Sequence, residues 1–171
     1  MLKAQSNLQP LTFNFQPLPR VGAIIPALNE AGNLAKLLLA LAELGLGQVV
    51  VGDNGSTDGT GDVAKSHGAD VRVVRQRGYG AACHAALQGL RDDVDIVIFV
   101  NADLTDDVSL IPAMVQPIAA DECDLTLGAR VRPLREAGSM SLPQRFGDRL
   151  ATGLIRLTFA RDFYDLGPFR A

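Results

Sequence analysis

The stretch IVIFVNADLTDD, residues 96–107, decides how this chain folds. Together with Val94 it forms a run, 94–100, that is apolar except for Asp95. A run of this length that is apolar apart from one residue marks a strand covered on both faces, the situation in a parallel sheet flanked by helices. The run then breaks abruptly into Asn101, Ala102 and Asp103. Thr105, Asp106 and Asp107 follow, residue types that cap and electrostatically favour a helix start, here the helix expected over 107–119. A buried strand that ends in polar side chains is how a parallel sheet offers its ligand-binding edge.

The same alternation extends outward in both directions. Strand-length apolar runs at 21–25, 47–52, 71–74 and 124–128 alternate with helical patterns at 29–44, 58–67, 79–91 and 144–160. Parallel neighbours need right-handed crossovers, so the expected architecture is a three-layer α/β/α sandwich around a mostly parallel sheet. Residues 1–20 carry Pro10, Pro17 and Pro19 without periodicity and read as an N-terminal tail, leaving one domain over 21–171.

Composition narrows the function classes. A length of 171 residues with 47% hydrophobic and 20% charged residues describes one globular domain whose core needs no disulfide or metal staple. A net charge of −3 lacks the basic footprint of a nucleic-acid binder, and two Tyr, seven Phe and no Trp offer few stacking platforms. Lys36 and Asp95 interrupt the longest apolar stretches, so no transmembrane segment is expected. Residues 1–20 have no apolar signal region, and Cys83 and Cys123 show no CxxC pairing, which together point to a cytoplasmic protein with reduced thiols.

In such a sheet the chemistry lies just after the strands, at 26–30, 53–60, 75–80, 101–107 and 130–140. The segment DNGSTDGT, 53–60, suits a capped turn, with Asp53 also able to accept a hydrogen bond from a ligand N–H. Helix capping accounts for residues 105–107 but not for Asp103, whose carboxylate suits a hard divalent ion bridging phosphate oxygens, Mg²⁺ or Mn²⁺. RGYGAA, 77–82, is only part of a GxGxxG pattern: Cys83 stands where the last glycine belongs, and the segment follows the third strand rather than the first. His67, His84 and Cys83 lack partners at metal or triad spacing and read as structural residues.

Six segments in register, IIPALNE (24–30), VVVGDNGSTDGT (49–60), RGYGAAC (77–83), IVIFVNADLTDD (96–107), GAR (128–130) and DLGPFRA (165–171), resemble the glycosyltransferase family 2 catalytic domain with its GT-A fold. The resemblance covers the chain from about Val21 onward and looks most like the bacterial branch containing dolichol-phosphate-mannose-synthase-like enzymes. It implies an inverting transfer from a UDP- or GDP-linked sugar to a polyprenyl phosphate, another anionic acceptor or a hydroxyl. It also implies roles by position. Pro26, Ala27 and Glu30 would line the nucleoside pocket, Asp53 would accept from the base, and Arg77 and Gly78 would lie along the nucleotide. Asn101 and Ala102 would flank the donor, Asp103 would hold the metal, and Asp165 would be the base for a hydroxyl acceptor.

Two departures from the family pattern carry expectations of their own. Asn101 stands where the family commonly has Asp, which removes a charge from the metal site. Relatives continue for tens of residues past DLGPFRA, so the domain is expected to be C-terminally truncated. Arg130, Arg132, Arg135 and Arg145 would either meet a phosphate or form a solvated loop. The apolar face of 144–160 (Phe146, Leu150, Leu154, Ile155, Leu157) is expected against the sheet or in a homodimer, with peripheral contact at the inner membrane face as the alternative. The rival readings are a non-catalytic nucleotide-sugar-binding or assembly module and a nucleotidyltransferase. PALNE disfavours the latter because it offers neither a glycine-rich turn nor a basic residue.

Overall fold

The computed structural model describes residues 20–128. The tail over 1–19, the loop 130–140, the helix expected over 144–160 and Asp165 lie outside the described residues. Within them the order is β1 (Val21–Ala27), α1 (Ala31–Glu43), β2 (Gln48–Asp53), α2 (Thr60–Ser66), β3 (Asp70–Val73), α3 (Tyr79–Leu87), β4 (Ile96–Phe99) and α4 (Ile111–Ala119), with a 3₁₀ turn at Val108–Leu110. The four strands form one parallel sheet in the order β3-β2-β1-β4. This is the expected α/β class, and it follows from sequence because every crossover passes through a helix.

β1 is the axis of the sheet, buried at all seven positions. Its side chains alternate between two cores. Val21, Ala23, Ile25 and Ala27 join the larger cluster with Leu34, Leu37, Leu38 and Leu41 of α1, Ala64 of α2, and Ile111, Met114 and Val115 of α4. Ile24 faces the opposite layer with Val50 and Ala86 of α3. The leucines of α1 recur at the three- and four-residue spacing that places one helical stripe on a sheet.

The chain runs outward from β1 through β2 to β3, then returns to the other side of β1 as β4. This reversal is the switch point where loops part and leave a crevice at the strands' carboxyl ends. The layer formed by α3 is set by Gly52: a Cβ there would stand 2.3 Å from the carbonyl oxygen of Ala82. Only glycine lets α3 lie this close on β2, and that contact carries the N-terminus of α3 to the crevice.

Three local expectations are corrected. No strand forms over 124–128; Leu127 makes an isolated bridge, while Leu125 is exposed and Thr126 Oγ1 donates to the Met114 carbonyl. The segment is tied to α4 through that bond. The helix expected from 107 begins as the 3₁₀ turn and becomes α-helical at Ile111, with proline in its first turn where a missing N–H costs nothing. α3 ends at Leu87 rather than near 91, because the Gly89 N–H bonds back to Ala86 and closes a turn. No described helix is long and apolar enough to cross a membrane.

Candidate functional site

The crevice is a pocket of about 280 Å³ walled by four segments. Pro26, Ala27, Leu28 and Glu30 come from the end of β1, Asn54 from the end of β2, Tyr79 and Ala82 from α3, and Asn101, Ala102 and Asp103 from the end of β4. Six of the residues expected at the site from sequence therefore share one cavity: Pro26, Ala27, Glu30, Asn101, Ala102 and Asp103. Asp53, Arg77 and Gly78 do not line it.

The first loop owes its shape to the second. Asn29 sits in the left-handed region at φ 57°, a conformation Asn tolerates better than most residues. Its N–H donates to Ser56 Oγ at 3.0 Å, and its Oδ1 accepts from the Thr57 N–H at 2.8 Å. The Glu30 N–H donates to Thr60 Oγ1 at 2.9 Å and the Ala31 N–H to Asp58 Oδ2 at 3.0 Å. Asp58 also accepts from the Thr60 hydroxyl and N–H through Oδ1. The Thr60 hydroxyl, then the Ala31 N–H, hold the Asp58 carboxyl below the usual aspartate value, since each bonds the ionised form.

At the end of β2 two neighbours point differently. Asp53, 7% exposed, turns into its own loop, where Oδ1 accepts from the Ser56 N–H at 2.9 Å. Asn54 continues the ladder through its N–H to the Ala27 carbonyl, and its side chain, in an 8% exposed residue, lies in the pocket wall. Its Oδ1 accepts from the Gly78 N–H at 3.2 Å, which fixes the amide orientation because a backbone N–H requires an oxygen. Asn54 Nδ2 is left as a donor with no hydrogen bond to a described residue. The sequence marks Asp53 as the acceptor for a ligand N–H and does not single out Asn54; strand parity, which sends adjacent side chains opposite ways, is the signal that distinguishes the two.

The third segment brings α3. Gly78, at φ 144°, precedes the helix in a conformation that favours glycine. Arg77 is exposed, and the pocket contact passes to Tyr79, whose hydroxyl reaches Asn101 Oδ1 at 3.4 Å. At the fourth segment the Asn101 N–H donates to Asp106 Oδ2 at 2.8 Å. Asp103 Oδ1 accepts from the Thr105 hydroxyl at 2.6 Å and N–H at 3.1 Å, closing a turn over Leu104, which is held left-handed at φ 61°. Asp103 Oδ2 has no hydrogen bond to a described residue. Among the described residues no group of three or more His, Cys, Asp or Glu could hold a metal by itself. A single exposed carboxylate oxygen at the pocket rim does fit a hard ion whose remaining ligands are phosphate and water.

The profile of the family described as glycosyl transferase family 2 matches residues 23–170. A low-salt glycan biosynthesis hexosyltransferase of Haloferax volcanii is 29% identical over 153 residues, 86% of this chain and 36% of its own length. Among solved structures, mannosyl-3-phosphoglycerate synthase from Rubrobacter xylanophilus aligns with a TM-score of 0.71 at 24% identity, covering 89% of this chain and 52% of that one. Glucosyl-3-phosphoglycerate synthase from Mycobacterium tuberculosis, in complex with Mn²⁺, uridine-diphosphate-glucose and phosphoglyceric acid, aligns at 0.68 and 24% identity over 89% of this chain and 55% of that one. The chain thus spans between about a third and about half the length of these proteins. With the profile matched across the sheet, the crevice and the four segments that wall it, this chain belongs to glycosyltransferase family 2.

Proposed function

We propose that this chain forms the donor side of a glycosyltransferase that moves a sugar from a nucleoside diphosphate to a phosphate or hydroxyl acceptor, assisted by Mg²⁺ or Mn²⁺. One observation carries the reading: the ends of β1, β2 and β4 converge on a single pocket at the switch point, with Asp103 among its lining residues and its Oδ2 bonded to no described residue. In the transfer the acceptor oxygen bonds the anomeric carbon from the face opposite the donor. The bond to the diphosphate breaks, the electron pair leaves with the nucleoside diphosphate, and the configuration inverts. A divalent ion bound here would neutralise the charge developing on that leaving group.

Asp103 is the residue to hold the ion, with its Oδ1 braced by Thr105 and its Oδ2 bonded to no described residue. Pro26, Ala27 and Glu30 form the wall for the nucleoside, and the buried Asn54 amide presents a donor to an acceptor atom of the base. A phosphate acceptor is already anionic and needs no general base; for a hydroxyl acceptor Asp165 is the proposed base. The M. tuberculosis relative, with uridine-diphosphate-glucose, Mn²⁺ and phosphoglyceric acid, supports a UDP-sugar and a phosphorylated acceptor as the first substrates to try.

Isothermal titration of UDP-glucose and GDP-mannose with Mn²⁺ tests the reading. At least one should bind, and Asp103→Ala or chelation should weaken it by about tenfold or more, the scale of a lost charge-assisted contact. No binding of either, or an Asp103→Ala variant that binds unchanged, would refute it. A second reading, binding without turnover, draws support from Asn101, which gives the pocket an amide in place of the family's usual carboxylate. Donor hydrolysis or transfer by the purified protein separates the two.

A further inference from the structure

We propose that Ser56, Asp58 and Thr60 are positioning residues for the pocket: a side-chain clamp that sets the 28–31 loop while lining none of the cavity itself. The inference rests on the donor-site reading above. Three consecutive backbone N–H groups, those of Asn29, Glu30 and Ala31, are each met by a side-chain oxygen of the second loop. The acceptors are Ser56 Oγ, Thr60 Oγ1 and Asp58 Oδ2, every second residue of the turn. Thr57 returns a bond from its N–H to Asn29 Oδ1. Local capping of α2 explains the contacts of Asp58 with Thr60, two residues away. It does not explain contacts that reach back 27 to 30 residues.

α1 depends on this borrowed cap. Glu30 stands at its N-cap without a side-chain cap bond of its own, and the N–H of the first helical residue, Ala31, is met by Asp58 of the other loop. Thr60 is the hub: it is fully buried, accepts from Glu30 and donates to Asp58 Oδ1 at 2.5 Å. Removing its hydroxyl leaves the part-buried Glu30 N–H without its acceptor and takes from Asp58 Oδ1 one of its two donors, the Thr60 N–H remaining. The loop so held supplies Leu28 and Glu30 to the pocket, in the wall that the end of β1 contributes beside Asp103. The clamp therefore determines the shape of a wall it does not touch.

The test pairs amide hydrogen exchange with titration of UDP plus Mn²⁺, and of GDP plus Mn²⁺, on the intact chain. The amides of Asn29, Glu30 and Ala31 should be protected in the wild type and exposed together in Thr60→Val and in Ser56→Ala. Kd should rise by about tenfold or more in Thr60→Val and about threefold in Ser56→Ala, while Thr60→Ser, which restores the hydroxyl, stays within about twofold. Arg91→Ala is the control for general destabilisation: its guanidinium bonds Gly47 and Asp93 at the opposite end of the strands, so Tm should fall while Kd holds. Wild-type binding by Thr60→Val, or unprotected amides at 29–31 in the wild type, would overturn the proposal. If Thr60→Val does not fold, Ser56→Ala decides on the same two readouts. If the wild type binds neither nucleotide, the donor-site reading falls, and the exchange data alone still accept or reject the clamp.

Discussion

Gly52→Ala is the substitution whose consequence the structure specifies most sharply. The added Cβ would lie 2.3 Å from the Ala82 carbonyl oxygen and 2.9 Å from its carbonyl carbon. Both are backbone atoms inside α3, so no rotamer change relieves the overlap. β2 is held between β1 and β3, which leaves α3 as the part that must move. Overpacking of a well-filled core costs roughly 1–3 kcal/mol, and a backbone-to-backbone clash belongs at or above the upper end. About 3 kcal/mol corresponds to a fall in Tm of roughly 6–12 °C for a chain of this size. Because α3 brings Tyr79 and Ala82 to the pocket and its preceding Gly78 bonds Asn54, ligand affinity should fall as well. The internal control is Gly80→Ala in the same helix, where a Cβ meets nothing within 4 Å. Replacing that helical glycine should be neutral or stabilise by about 0.5–1 kcal/mol. Thermal unfolding of the three proteins is the assay. A Gly52→Ala protein melting within a degree or two of wild type would refute the account of how α3 is seated.

Asn54→Asp exchanges the pocket's buried amide donor for a carboxylate while keeping an oxygen for the Gly78 N–H; the ranking of UDP, CDP and GDP by titration should change, and an unchanged ranking would remove Asn54 from base recognition. Asn101→Asp restores a negative charge beside Asp103 and should tighten Mn²⁺-dependent binding by about tenfold at low salt, read as the Mn²⁺ concentration giving half-maximal nucleotide binding. The pH dependence of the clamp follows from Asp58, whose folded pKa lies below its ordinary value of 3.8. A depressed carboxylate contributes stability that is fully present above the unfolded value and is lost as pH falls through the folded one. The Tm difference between wild type and Asp58→Asn should therefore be constant above about pH 5 and shrink progressively as pH falls through 3.8 and below. A gap that closed near neutral pH would contradict the assignment.

Much of the fold was legible because local patterns sufficed. The leucine stripe of α1, the apolar run into β4 and the regular alternation between them demand a layered sheet, since no other arrangement buries a strand on both faces with helix-length connections. The failures were local as well. The segment 124–128 has apolar residues at strand spacing, yet Thr126 bonds to α4 and Leu127 alone makes a bridge. At the site, position after a strand marked the segments 26–30 and 101–107, the family resemblance picked out Pro26, Ala27, Glu30 and Asn101–Asp103 within them, and these come together in the pocket. Asp53 and Asn54 could not be ranked by residue type: acceptor capacity and the family resemblance suggested the first, while in the fold the first bonds its own loop and the second lines the cavity.

The sequence by itself determined the order of elements, the parallel sheet and the edge where ligands meet it. These depend on periodicity within a dozen residues, which the chain carries whether folded or not. Only the tertiary structure decided what the STDGT segment does. Taken alone it is a well-capped turn; in the fold Ser56, Asp58 and Thr60 grip three consecutive N–H groups nearly thirty residues upstream. It also decided that Tyr79 reaches the pocket, through the missing Cβ of Gly52 beneath Ala82. Both are contacts between segments distant in sequence, and their partners become neighbours only after β1 and β2 have paired in register.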